Sequence, residues 1–147
     1  MPELSSNKRA RFDYEILKEY EAGIELFGFE VKSIKDHRMS IAGAFVVLRG
    51  GEAWLLNVSV PPYQAKNTPQ NYEPERTRRL LLRKSEIREL IGKSAQKGLT
   101  IVPIRVYTKQ GKIKILIGVA RHKKTKDKRE TIRKREATRE IARTLKG

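Results

Sequence analysis

The chain contains no cysteine, which excludes disulfides and thiolate-bound metal and suits a reducing compartment. It has only two histidines, His37 and His122, so a zinc site would need carboxylates gathered from unrelated segments; a solvated surface role suits each better. No apolar run approaches the roughly 20 residues that span a bilayer, and the opening MPELSSNKRARFDY lacks the apolar core of a secretory signal. A cytoplasmic protein is expected. Acids are also scarce: 17 Asp and Glu face 33 Lys and Arg, a formal charge of +16.

Charge of this size implies a polyanionic partner, either nucleic acid or an acidic membrane, through long-range attraction and counterion release. Half of it lies in residues 121–147, where twelve Lys or Arg face four acids, a net of +8. Large apolar side chains there are limited to Ile132, Ile141 and Leu145, too few to offset the entropy of ordering or to make a membrane-binding stripe. Nucleic acid is therefore favoured, and 121–147 is expected to be a basic tail, disordered when free and helical on its partner. Arg135, Arg139 and Arg143 recur every four residues and repel until phosphates neutralise them.

Residues 1–120 hold most of the apolar side chains and read as one domain. Over 12–26 the even positions are mainly apolar, which predicts a long strand bent near Gly23, with a helix kept open by the many helix formers. Its odd positions carry Asp13, Glu15, Glu19, Glu21 and Glu25, a face expected to repel phosphate and direct an RNA site elsewhere. Residues 29–34 predict a short helix with Val31 and Ile34 inward. Residues 45–48 and 53–60 flank Gly50-Gly51 as a hairpin, 61–74 with its four prolines reads as an irregular loop, and 80–82 as a short buried strand. Ser85 is expected to cap a helix that buries Ile87, Leu90, Ile91 and Ala95 and stops at Gly98. A second hairpin pairs 100–107 with 112–119 about Gln110-Gly111. This order is that of an OB-type antiparallel β-barrel with flanking helices, two-layer α+β being the fallback. Fold alone assigns no function.

Gly92-Lys93-Ser94 ends like a phosphate-binding loop, but Ile87 stands where that motif needs glycine. Glu30, Asp36 and His37 hint at acid-base chemistry with no nucleophile or metal to complete it, so an enzyme is the minority reading and no cofactor is expected. Two further basic stations precede the tail: Asn7-Lys8-Arg9-Ala10-Arg11, read as an arm before the first strand, and Arg76-Thr77-Arg78-Arg79. Either alone could be a solubilising surface; three stations favour a polyanion contacted at several points. Tyr63 and Tyr72 in the proline-rich loop either stack on an unpaired base or cap the barrel, whereas Phe12, Tyr14, Tyr20 and Tyr107 are expected in the core.

The run NKRARFDYEILKEYEAGIELFGFEVKSIK, followed by GEAWLLNVSVPPY, NYEPERTRRLLLRKSEIREL, KGLTIVPIRVY and RHKKTKDKRETIRKRE, resembles the bacterial SsrA-binding protein family (SmpB) from about Asn7 onward. The resemblance implies a non-catalytic OB-type barrel that binds the tRNA-like domain of transfer-messenger RNA (tmRNA) and brings it to stalled ribosomes in trans-translation. It implies that the barrel stands in for a missing anticodon arm, while the tail enters the empty mRNA channel beyond the small-subunit decoding centre. Elongation factor Tu and alanyl-tRNA synthetase are implied as partners through the tmRNA.

The RNA-facing positions it implies are Asn7, Lys8 and Arg9, with Arg11 of the same arm, then Glu30, Lys32, the segment from Arg76 to Leu82 with its Arg76, Arg78 and Arg79, and Lys123, Lys124, Asp127, Lys128 and Arg129. Arg133, Lys134, Arg135, Arg139, Ile141 and Arg143 fall to the ribosomal channel. Glu30 would accept from a base amine or a ribose 2′-OH, or else form a salt bridge with Lys32 or Arg79. The chain departs from the family pattern at His122 (usually Gly), Tyr72 (His), Arg79 (Lys) and Phe29 (a small polar residue). The alternative is a ribosomal or general single-stranded RNA-binding protein of OB type.

Overall fold

A computed structural model describes residues 3–64, 66 and 68–123. The expected tail positions Lys124, Asp127, Lys128, Arg129, Arg133, Lys134, Arg135, Arg139, Ile141 and Arg143 lie outside the described residues. Within them are strands β1 (Glu3–Ser6), β2 (Tyr14–Ile24), β3 (Phe45–Arg49), β4 (Glu52–Leu56), β5 (Arg78–Leu81), β6 (Leu99–Lys109) and β7 (Lys112–His122). The helices are α1 (Ala10–Asp13), α2 (Gly28–Lys35) and α3 (Lys84–Ser94). The strands pair in the order β6-β3-β4-β5-β2-β7, and β7 pairs back onto β6, so the sheet closes on itself; β1 lies along the remaining edge of β6. This is the expected OB-type antiparallel barrel, closed so that its long strands leave few unpaired edges.

Period-two alternation builds the wall. Along β7, Ile113, Ile115, Ile117 and Val119 are buried while Lys112 is exposed, and they join Leu55, Leu80, Ile101 and Val106 in one core. The β6-β7 turn has Gln110 at φ 52° and Gly111 at φ 75°, the two left-handed residues of a type I′ hairpin whose twist matches its strands. At Gly118 the wall has no room for a side chain: an added Cβ would lie 2.9 Å from Ile16 Cγ2 and 3.0 Å from Ile104 Cδ1. Gly118→Ala is expected to destabilise the barrel by about 1–3 kcal/mol through overpacking. A urea midpoint unchanged from that of the parent chain would show that the wall yields there.

Several expectations are corrected. Residues 10–13 form the helical turn α1 and the strand begins at Tyr14, because the Asn7 and Arg9 carbonyls accept the Ala10, Phe12 and Asp13 amides. The register of β2 with β7 slips between Ile16 and Lys18, and Leu17 at the slip is 49% exposed. Gly23 pairs with Leu81 on one side and Lys114 on the other. Helix α3 is not capped by Ser85: the Glu86 carboxylate accepts the Arg83 N–H at 3.0 Å, and only Ile87 and Leu90 are buried, with Ile91 and Ala95 turned to solvent. Strand β4 stops at Leu56 because Asn57 takes φ 61°. Phe12 and Tyr14 are half-buried, whereas Tyr20 and Tyr107 are core. Regular pairing of β7 runs to His122, opposite Tyr14 of β2, beyond the strand expected over 112–119.

Candidate nucleic-acid interface

The basic arm is a pinned corner, not a free extension. Strand β1 precedes it on β6, the Asn7 N–H donates to Ile104 O at 2.8 Å, and Asn7 Nδ2 reaches Pro103 O at 3.3 Å. Asn7 therefore holds the corner, while Lys8 and Arg9 are exposed on it. The Lys123 N–H donates to Asp13 O at 2.9 Å, so the chain leaves β7 beside this corner. Two basic stations 110 or more residues apart in sequence are thus brought to one place. The corner lines a groove of about 610 Å³ with Lys8, Arg9, Asp13, Tyr14, Gly43 and Thr100, and Lys123 is tied to Asp13 of that lining. His122 packs its ring on Tyr14, centroids 4.3 Å apart, which is what the departure at 122 does structurally.

The second station is organised differently. In β5, Leu80 points inward, so alternation also turns Arg78 inward, and both are fully buried. A buried guanidinium needs a counterion, and α2 supplies Glu30, also fully buried. Arg78 Nη2 and Nε donate to Glu30 Oε2 at 2.6 and 3.0 Å; its other N–H groups reach the carbonyls of Val58 (3.1 Å), Arg76 (2.9 Å) and Pro74 (2.9 Å). Every guanidinium proton is thereby used. Glu30 Oε1 also accepts the Phe27 N–H at 2.8 Å, capping α2, and Arg76 Nε reaches Oε2 at 3.1 Å. Burial by itself would raise the Glu30 carboxyl, but the donors from Arg76, Phe27 and Arg78 outweigh it and hold it below its ordinary value.

This corrects the salt bridge expected for Glu30. Its partners are Arg76 and Arg78, not Lys32 or Arg79, and with Arg78 it is fully buried. Both residues tie the loop over 58–78 to α2, helped by Ser33 Oγ on Pro61 O at 2.7 Å. Tyr72 belongs to the same knot, its hydroxyl 2.7 Å from Val60 O and 3.0 Å from Glu30, while Tyr63 is exposed beneath Arg38. Arg79 faces outward between Glu52 (3.1 Å) and Glu25 (3.5 Å), and Lys32 is exposed on α2. The two stations sit at opposite ends of β2, an 11-residue strand on the order of 30 Å long.

The acidic face of β2 is compensated. Asp13 pairs with Arg9 (3.4 Å), Glu15 with Arg121, Glu19 with Arg11 (2.7 Å), Glu21 with Lys109 (3.2 Å) and Glu25 with Arg79. The expected repulsion of phosphate is therefore cancelled by cations from α1, β5, β6 and β7. Glu21 also receives the Tyr107 hydroxyl; burial and that bond push the tyrosine up to about 12.

Leu81, inside the Arg76–Leu82 segment that the resemblance implies for RNA, is 47% exposed over a groove shared with Glu21, Gly23, Arg83 and Lys114, although alone it reads as part of a buried run. The outward parity of Arg79 was the available sign. Phe27 and Phe29 flank the start of α2 as an aromatic pair against Tyr72.

Among the described residues no helix is long and apolar enough to cross a membrane. A family model described as SmpB protein matches residues 4–147. The SsrA-binding protein of Thermosynechococcus vestitus is 48% identical over 143 residues, 97% of this chain and 94% of that protein. That of Synechococcus elongatus is 50% identical over 143 residues, covering 97% and 93%. A solved chain, from the structure called "tmRNA-SmpB: a journey to the center of the bacterial ribosome", is similar at TM-score 0.68 and 46% identity, covering 87% of this chain and 93% of that one.

Proposed function

The chain belongs to the SmpB protein family, and from this premise we propose that it is an RNA-binding adaptor that joins tmRNA and brings it to stalled ribosomes for trans-translation. It acts by binding. The observation that carries this reading is the meeting of Lys8 and Arg9 with the start of the basic tail at Lys123, beside one groove of a closed barrel. A rigid wall with cations at both ends of β2 suits a folded RNA better than a flexible strand, because fixed charges demand phosphates at fixed spacing.

In this reading Lys8, Arg9, Arg11, Lys32, Arg79 and Lys123 meet RNA directly, continued by Lys124, Asp127, Lys128 and Arg129. Asn7, Glu30, Arg76 and Arg78 hold the segments that present them. Residues 133–143 occupy the ribosomal channel, and the barrel takes the tRNA-like domain of the RNA.

Competition between a tRNA-like transcript and an unstructured RNA of equal length tests the reading. The structured RNA should win by tenfold or more; equal competition would support a general single-strand binder. Alanine at Lys123 and Lys124 should weaken binding and flatten its logarithmic salt dependence by about 0.7–0.9 per lost phosphate contact. An unchanged slope would remove these lysines from the phosphate contacts.

A further inference from the structure

Phe27 precedes α2 and is 50% exposed. Phe29 stacks against it, ring centroids 5.5 Å apart, and Tyr72 meets Phe29 edge-on at 4.7 Å. The Arg76 guanidinium lies 4.2 Å from the Phe27 ring centre. With Asn71 and Glu73 these side chains line an open groove of about 350 Å³, at the small end of ligand-sized sites.

The walls are held in place. The Tyr72 hydroxyl is fixed by Val60 O and Glu30, and Arg76 is fixed by Glu30 and by Glu25 O at 3.3 Å. An aromatic slot that need not reorganise loses little entropy on taking a planar ligand. Asn71 supplies an amide donor and acceptor and Glu73 a carboxylate acceptor, the groups that a base edge can pair with. The guanidinium, already paired with Glu30, lies over the Phe27 ring as a further flat surface of the groove. The groove also adjoins the Arg76–Arg79 station rather than standing alone on the surface.

We infer that this groove receives one unpaired nucleobase of the bound RNA, stacked on Phe27 and Phe29 beside the Arg76 guanidinium. The inference rests on the RNA-binding function proposed above and adds a stacking subsite to an interface otherwise built from phosphate contacts.

The test is fluorescence anisotropy of a labelled tRNA-like transcript with the full chain, Phe27→Ala, Phe29→Ala and Phe27→Tyr, each at several salt concentrations. Base stacking of about 1–3 kcal/mol corresponds to a 5- to 150-fold loss for Phe27→Ala. The salt slope should not move, because no phosphate contact is removed, and Phe27→Tyr should bind within about twofold of the parent. If the parent chain binds and both alanine variants match it, the stacking subsite is refuted while the adaptor function stands. A flattened salt slope in Phe27→Ala would also refute it, as would intact RNA affinity with lost ribosome association, which would mark a protein partner. A parent chain that binds no tRNA-like RNA would overturn both.

Discussion

Glu30→Gln is expected to destabilise the barrel by about 3–5 kcal/mol, because it leaves the buried Arg78 guanidinium without its counterion. Against a typical domain stability of about 5–15 kcal/mol this is a large fraction, and a urea titration will read it as a lowered midpoint. Arg78→Met should also be harmful, since it leaves Arg76 as the remaining arginine partner of the buried Glu30 carboxylate and abandons the carbonyls of Val58, Pro74 and Arg76. The double replacement should cost less than the two single effects added together, as expected where each single change uncovers the other's charge.

The pH dependence of Glu30 has a definite sign. Its carboxyl is held below the ordinary 4.5, so its contribution is fully present above that value and is lost as pH falls through the lower, folded-state value. The stability gap between the parent chain and Glu30→Gln should stay level from pH 7 to about 5 and narrow only in stronger acid. A gap that closes between pH 7 and 5 would show that the ionised carboxylate is not what matters.

Removing residues 130–147 is expected to leave affinity for tRNA-like RNA within about threefold of the full chain and to abolish ribosome rescue. The barrel cations and Lys123 to Arg129 remain in the shortened chain, whereas five of the basic residues assigned to the ribosomal channel, from Arg133 to Arg143, are gone. Parallel measurement of RNA binding and of rescue of stalled ribosomes separates the two activities. Equal loss of both would refute the division of labour between barrel and tail.

The barrel was legible because its signals are local. The alternation over 112–119 and the dipeptides Gly50-Gly51 and Gln110-Gly111 decide facing and turns without knowledge of distant residues. The Glu30–Arg78 pair was not, since its partners are 48 residues apart and an arginine beside other arginines reads as surface. One local sign existed: Arg78 shares the parity of Leu80, so a buried leucine implied a buried arginine. The acids of β2 misled for a related reason. Their sign is visible in sequence, but the cations that neutralise them arrive from other elements.

The neutralised face of β2 has a consequence for ion exchange. Arg9, Arg11 and Arg121 already hold carboxylates, so each must leave Asp13, Glu19 or Glu15 before it can take a phosphate. The abandoned carboxylate then recruits a cation from the buffer, offsetting one that the RNA releases. Contacts made by these arginines should therefore be nearly silent in a salt titration, and the number of phosphates inferred from such a titration will fall short of the number touched.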